Sequence, residues 1–500
     1  MNHVKQKELG EAYIERIDYP NRGRFIYREE DREYKGTIKN SIPGQKIAFR
    51  CCKKHGDRIE GTPLEILEHS PLETREPVCD IFPACGGCIY QTVPYEKQLE
   101  MKADMAKRLV EPVMYADRPI FDGIKGSPKE WGFRNKMEFS FGNEERDGEL
   151  RLGLHKRLTR YTILDGDSCK TVHPDMTTIL TCVREYCIEQ NLPIYRKNTH
   201  EGFLRFLLIR RSEATGEILV CLAHSSQMTH DFRELKDRLL ALSLAGHIVG
   251  IWTTEDNSFG DALLPETMHC LYGTDAFTEK LLGLTFEVTL FSFFQTNSKG
   301  AEVLYRTVGD YVAEAFKEQQ GGKAITGHDA ETCLEETEAR PVCGGGAAVC
   351  RNRQGEKPVV YDLYCGTGTI GQLVSPYAKA VYGIEIIPEA VEAANRNARL
   401  NGISNCQFLA GDVLETLPAL PEKPDFLILD PPREGIRPKT LRALMDFKVP
   451  YIVYVSCKAS SFVQDMAVMR DYGWHTKRWA LVDMFPQSAH VELVALLSRS

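Results

Sequence analysis

The 500-residue chain has no apolar run approaching the roughly 20 residues that a bilayer-spanning helix needs, so membrane-embedded functions are set aside. It also lacks a basic surplus. Its 62 Lys and Arg face 70 Asp and Glu, giving a formal net charge of -8. A global nucleic-acid signal is thereby excluded, and any RNA or DNA contact must come from local basic patches. The opening MNHVKQKELGEAYIERIDYP is polar and mixed in charge, unlike a signal peptide, and a cytoplasmic location is expected. The Gly-Lys-Ser/Thr of a P-loop is missing, as is the Cys-x3-Cys-x2-Cys of radical enzymes.

Cysteine, by contrast, is plentiful: sixteen residues, in a compartment where disulfides are rare. Cys182, Cys187, Cys221 and Cys270 stand in apolar runs and are expected as small core residues. VCDIFPACGGCIY differs, because it packs Cys79, Cys85 and Cys88 closely with no local fourth ligand. A four-thiolate site with a remote fourth cysteine fits this spacing, and zinc and an iron–sulfur cluster are both open. Cys169 in LDGDSCK follows a strand and is flanked by polar turn residues, which makes it the candidate fourth ligand.

Residues 1–68 read as short strands (EAYIERID, GRFIYR, YKGTIKN, QKIAFRCC, GTPLEILEH) punctuated by glycine, the pattern of a small β-barrel. YEKQLEMKADMAKRLVEPVM has helical apolar spacing. Residues 126–290 mix strands and helices, with WGFRNKMEFSFG, RLGLHKRLTRYTILD, FLRFLLIRR and EILVCLAH as strands. Residues 317–357 have little periodicity and read as an insertion, whose Cys333, Cys343 and Cys350 are spaced too unevenly for an ordinary zinc site. From Val359 onward strands and helices alternate, predicting a doubly wound α/β sheet with ligands at the carboxyl ends of its strands.

Those strand ends carry the chemistry. DLYCGTGTIG follows a strand and opens a helix, and its glycines allow close backbone approach to a ligand. Glu385 ends the next strand, where an acid can accept from ribose hydroxyls, and Asp412 ends the third. LDPPREG then presents Asp430 in a motif similar to that of S-adenosylmethionine-dependent methyltransferases acting on bases. Cys457 ends the fifth strand at the same sheet edge, with Lys458 beside it to favour a thiolate, and is the candidate nucleophile. Glu492 in FPQSAHVELV is the candidate base.

Taken in order, CDIFPACGGC, WGFRNK, SFFQTN, DLYCGTG, GIE, LDPPREG, YVSC and HVE resemble the RNA uracil-5-methyltransferases. They are most similar to the iron–sulfur branch that methylates 23S ribosomal RNA in bacteria, and the resemblance covers nearly the whole chain. It implies a TRAM-type RNA-binding barrel at 1–68 and a central α+β iron–sulfur and RNA-binding domain at 69–92 and 126–290. A Rossmann-like class I methyltransferase domain would take 93–125 and 291–500. It implies Cys457 as nucleophile and Glu492 as base. Gln295, Tyr364, Glu385 and Asp430 would surround S-adenosylmethionine, with Asp412 nearby. A [4Fe–4S] cluster would sit on Cys79, Cys85, Cys88 and Cys169. Arg134 would support RNA or structure, in a monomer without membrane contact.

Two departures stand out. Lys458-Ala459 replaces the Asn-Pro or Lys-Pro that usually follows the nucleophile, and FVQD replaces a LARD-like stretch. RNA contact is expected from Arg151, Lys156, Arg157 and Arg160, and from Arg205, Arg210 and Arg211, near aromatics that can stack on bases. The competing readings are a tRNA uracil-5-methyltransferase, a non-catalytic RNA-binding protein on the same fold, and an amino-group methyltransferase, which would need no thiol.

Overall fold

The computed structural model describes residues 9–499 apart from 30, 146–147, 160 and 320–356. Arg160, Cys333, Cys343, Cys350 and most of the expected insertion lie outside the described residues. No helix among the described residues is long and apolar enough to cross a membrane.

Six strands form the first sheet, in the order Leu9–Tyr13, Lys46–His55, Arg58–Glu68, Arg32–Lys39, Arg22–Glu29, Arg16–Asp18. Their alternating apolar residues bury Ile17, Phe25, Ile38, Ile47 and Phe49. A Cβ at Gly36 would collide with the Phe25 ring, so only glycine lets that ring lie on bare backbone. The same core takes in Tyr90 and Val93 of the cysteine-rich segment and Met101 and Met105 of the helix Tyr95–Met114. The first sheet is therefore packed onto the rest of the chain rather than tethered to it.

A seven-stranded sheet follows: Ile163–Asp165, Arg151–His155, Lys136–Gly142, Leu204–Arg211, Glu217–His224, His247–Glu255, Met268–Gly273. Helices Pro174–Glu189 and Arg233–Leu240 cover one face. RLGLHKRLTRYTILD, expected as one strand, is two antiparallel arms pairing Ile163 with His155. The polar stretch between them cannot share the apolar face, and the chain reverses through Leu158 at φ 62.

The third large sheet has eight strands: Cys406–Ala410, Ala380–Glu385, Val359–Leu363, Phe426–Leu429, Tyr451–Ser456, Glu492–Arg499, Trp474–Val482 and Ile120–Lys125. The first five run parallel, and Glu492–Arg499 inserts antiparallel beside Tyr451–Ser456. Strand order reverses between Val359–Leu363 and Phe426–Leu429, which opens a crevice at their carboxyl ends. Helix Ser298–Gln319 packs on one face; Tyr95–Met114, Pro438–Met445 and Ala459–Arg470 pack on the other.

Candidate active site

The crevice opens where Val359–Leu363 ends. Tyr364 turns the chain at φ 64, and Gly366 and Gly368, at φ 53 and 71, lead into the helix Thr369–Val374. Glu385 ties that turn down by accepting from the Gly366 amide at 3.1 Å and the Ile386 amide at 2.8 Å. The result is a cavity of about 400 Å³ lined by Gln295, Tyr305, Asp362, Tyr364, Gly366 and Asp430 among others. Three of the expected cofactor residues thus face one space and Glu385 shapes it. Asp412 does not line it; it caps the following helix through the Leu414 amide at 2.9 Å and faces Arg437 at 3.4 Å.

Asp362 is buried, and one of its oxygens accepts the Gly371 amide at 2.8 Å while the other has no protein partner. Burial and the nearby Asp430 charge push its carboxyl up to about 8. Tyr305, from the helix Ser298–Gln319, is buried and hydrogen-bonded by the Gln295 side chain. Sequence reasoning missed both: Asp362 precedes the glycines within a strand, and Tyr305 sits on an apolar helix face. The FRN motif proves to be a clamp, because Asn135 Nδ2 donates to the Gln295 carbonyl at 2.8 Å and to Ser298 Oγ at 2.9 Å.

Cys457 and Glu492 meet through strand register. Ser456 pairs with Leu493, and one further step sets Cys457 against Glu492. Burial, then Glu492 and Asp430, push the Cys457 thiol up to about 11, opposed by charge and a hydrogen bond from Arg433. Glu492 is 4% exposed; burial and Asp430 push it up to about 8, again against Arg433. Asp430 itself is raised to about 7 by burial and by Glu385. Arg433, not Lys458, is therefore the thiolate's cation. Lys458 is exposed, because the chain turns into the helix Ala459–Arg470 at that point.

That helix also holds the Arg433 loop. Ser461 Oγ donates to the Arg433 carbonyl at 2.5 Å, and Asp465, from FVQD, accepts from the Ile436 amide at 2.9 Å and the Tyr454 hydroxyl at 2.5 Å. The loop before Glu492 is fixed from the helix Tyr95–Met114. Lys102 and Asp483, both fully buried, pair at 2.7 Å, and Lys102 also donates to the Phe485 carbonyl at 3.0 Å. Such a pair survives burial because each charge is hydrogen-bonded.

The four expected ligand cysteines approach one another. Cys79, Cys85, Cys88 and Cys169 are 7–8% exposed, and Cys88 lies within the electrostatic reach of the other three. Burial pushes Cys88 up to about 12. Arg157 donates to the carbonyls of Cys85 and Cys88, while its Nε is buried without a partner. Arg134 lies beside Cys169, Cys88 and Cys85. Among the described residues, no three His, Cys, Asp or Glu are grouped closely enough for a single metal ion.

Several expectations are corrected. Arg205 is buried against Asp256 at 3.1 Å, and Arg210 donates to the carbonyls of Thr289 at 2.6 Å and Ser292 at 2.7 Å. Arg211 pairs with Asp175 at 2.9 Å and Arg151 with Asp165 at 2.6 Å. These arginines brace loops whose carbonyls and carboxylates need donors, so they are not a free RNA-binding face. Cys270 is exposed and Cys182 half-buried, unlike the core residues Cys187 and Cys221.

The comparisons agree with this geometry. A family described as a methyltransferase domain matches residues 355–459. A relative from Clostridium tetani is 40% identical over 501 residues, covering 100% of this chain and 99% of its own. Another from Clostridium acetobutylicum is 39% identical over 499 residues, with 100% and 99% covered. Both are named uncharacterized RNA methyltransferases. The solved tRNA (uracil-54, C5)-methyltransferase of Pyrococcus abyssi, in complex with S-adenosyl-L-homocysteine, overlays with a TM-score of 0.69 at 22% identity. That overlay covers 98% of this chain and 100% of the solved one, a likeness of fold. With a class I methyltransferase sheet and relatives that match from end to end, the chain belongs to the RNA methyltransferases.

Proposed function

We propose that the protein methylates carbon 5 of a uridine in 23S ribosomal RNA, using S-adenosylmethionine and a transient bond between Cys457 and carbon 6 of the base. The observation that carries this reading is Cys457 set opposite Glu492 beside Arg433, at the rim of the cavity that Asp430 lines. Amino-group methylation needs no thiol. Carbon 5 of uracil does, because it becomes nucleophilic only when a thiolate adds at carbon 6 and pushes electrons onto the carbonyl. The target base must be turned out of its stack to reach the site.

The cavity suits a nucleoside-bearing cofactor: Asp362 aims an unpaired buried oxygen into it, and its rim is a glycine turn. Gln295, Tyr364, Glu385 and Asp430 would hold S-adenosylmethionine, with Asp412 beyond them. Bound there, the sulfonium supplies an electrophilic methyl group. Arg433 favours the Cys457 thiolate. Glu492 takes the proton from carbon 5, after which the carbon–sulfur bond breaks and Cys457 leaves as thiolate. A base raised to about 8 is matched to work near neutral pH.

A [4Fe–4S] cluster on Cys79, Cys85, Cys88 and Cys169 fits the all-thiol donor set, spread wider than one ion needs, and the two guanidiniums that would offset its negative charge. We assign it an ordering role in an RNA-binding region at 69–92 and 126–290. Residues 1–68 would be a TRAM-type barrel and 93–125 with 291–500 the catalytic unit, in a cytoplasmic monomer. The Pyrococcus abyssi likeness favours a second reading, a tRNA uridine as target.

The test is mass mapping of 5-methyluridine in both RNAs from a deletion strain complemented with wild-type protein or Cys457→Ala. The wild type should restore a mark in 23S RNA and the variant should not. A mark restored by the variant refutes the covalent route, and one restored only in tRNA selects the second reading.

A further inference from the structure

The catalytic rim carries one group that comes from the N-terminal sheet. Tyr19, in the turn between the strands Arg16–Asp18 and Arg22–Glu29, packs against both the core of that sheet and the core beneath the catalytic sheet. Its hydroxyl oxygen accepts the Ala459 amide, and the charges that act on it are those of Glu492, Cys457 and Arg433. The turn is clamped from several sides. Asn21 Nδ2 donates to the Tyr90 hydroxyl at 2.7 Å, the Ser41 amide donates to Asn21 Oδ1 at 3.0 Å, and Arg108 donates to the Ile17 carbonyl at 2.5 Å. Tyr90 in turn sits beside the Gln487 carbonyl that its own amide and that of Ile89 reach, at 3.3 and 2.6 Å. The loop leading to Glu492 and the turn carrying Tyr19 therefore share one support.

Ala459 is the first residue of the helix that follows the nucleophile. Proline, which the resembled family usually has there, carries no N–H to give. The departure noted in the sequence is thus what makes this hydrogen bond available.

We propose that Tyr19 belongs to the acceptor-base site: it pins the start of the helix behind Cys457 through the Ala459 amide and offers its own hydroxyl proton to a carbonyl oxygen of the bound pyrimidine. Among the described residues that proton has no protein acceptor. Burial holds the phenol at about 12, so it stays protonated. When the Cys457–carbon 6 bond forms, the carbon 5–carbon 6 electron pair moves onto the carbonyl oxygen. The hydrogen bond then faces a developing negative charge, where it is worth most. The N-terminal sheet is in this way part of the chemistry as well as of RNA capture. The inference rests on the uracil-5 reading for its substrate but not for its hold on Cys457.

The test uses the full-length chain with Tyr19→Phe, Ala459→Pro and the double variant. Proline is tolerated at a first helical position, so Ala459→Pro removes the amide hydrogen while keeping the helix. Tritiated methyl transfer is measured to unmodified 23S and tRNA transcripts. In parallel, the rate of Cys457 alkylation by iodoacetamide is followed by mass spectrometry without RNA. Tyr19→Phe should lower kcat about 10- to 100-fold, with KM for RNA within about twofold. Alkylation should change in the same direction in both single variants. The double variant should be no slower than Tyr19→Phe alone, the signature of a shared contact. Wild-type kcat in Tyr19→Phe, or losses that multiply in the double variant, overturns the proposal. If the wild type methylates neither transcript, the uracil-5 reading fails by itself, and the alkylation rates still decide: parallel changes support Tyr19's hold on Cys457, and unchanged rates overturn it.

Discussion

Two thiol neighbourhoods in this chain use the same side chain to opposite ends. Around Cys79, Cys85, Cys88 and Cys169 the charged neighbours are other thiols and the guanidiniums of Arg134 and Arg157. Around Cys457 there is one thiol, one guanidinium from Arg433, and the carboxyls of Glu492 and Asp430. Burial raises the thiol in both places. The difference lies in what stands ready to exchange a proton. Several thiols with cations around them suit a bound, permanently anionic centre. One thiol facing a carboxyl raised to about 8 suits a bond that forms and breaks.

The contrast can be broken most severely at the single thiol. Cys457→Ala should lower methyl transfer more than about a thousandfold while calorimetric binding of S-adenosylmethionine is unchanged; a comparable loss of binding would make Cys457 a cofactor residue instead. Glu492→Gln should slow turnover about 10²- to 10⁴-fold. It should also accumulate a protein–RNA adduct, seen as a retarded band on a denaturing gel, because the carbon 5 proton has nowhere to go. Normal turnover without adduct places the base elsewhere. At the four-thiol site, Cys88→Ser should remove iron and broad visible absorbance from anaerobically purified protein, and lower methyl transfer only several-fold; an iron content equal to wild type removes Cys88 from the ligand set.

The smallest effect is on stability. Asp362, Asp430 and Glu492 have folded values raised to about 8, 7 and 8, above those of the unfolded chain. Between those limits the folded state binds more protons than the unfolded one, so stability falls as pH rises from about 5 to about 8. Glu492→Gln should flatten that fall and raise Tm at pH 8 by roughly 1–2 °C. An unchanged pH slope would mean the carboxyl ionises at its ordinary value. Over the same range the wild-type rate should climb as Glu492 loses its proton.

Much of the catalytic sheet was legible because its strands are near-continuous apolar runs ending in polar motifs. DLYCGTG, GIE and LDPPREG all fall at strand ends along one edge. The helix Tyr95–Met114 follows its apolar spacing residue for residue. Arg433 and Asp465 were in view as letters without a role, because their partners, Cys457 and the Ile436 amide, come from other parts of the chain. Tyr19 gave no signal at all: it is one aromatic in a strand-rich segment. The arginines at 205–211 misled for the converse reason, since a basic stretch looks alike whether it faces solvent or the carbonyls of Thr289 and Ser292.

By itself the sequence determined the order of elements, the two kinds of cysteine setting and the motifs at the strand ends, because periodicity and turn chemistry are local properties. Only the tertiary structure decided which charges face which. Insertion of Glu492–Arg499 beside Tyr451–Ser456 set a carboxyl against the nucleophile. Packing of the helix Tyr95–Met114 placed the Lys102–Asp483 pair beneath the base loop. Docking of the first sheet brought Tyr19 to Ala459. Proton affinities and hydrogen bonds depend on distance in space and on burial, and neither is written in the spacing of residues along a chain.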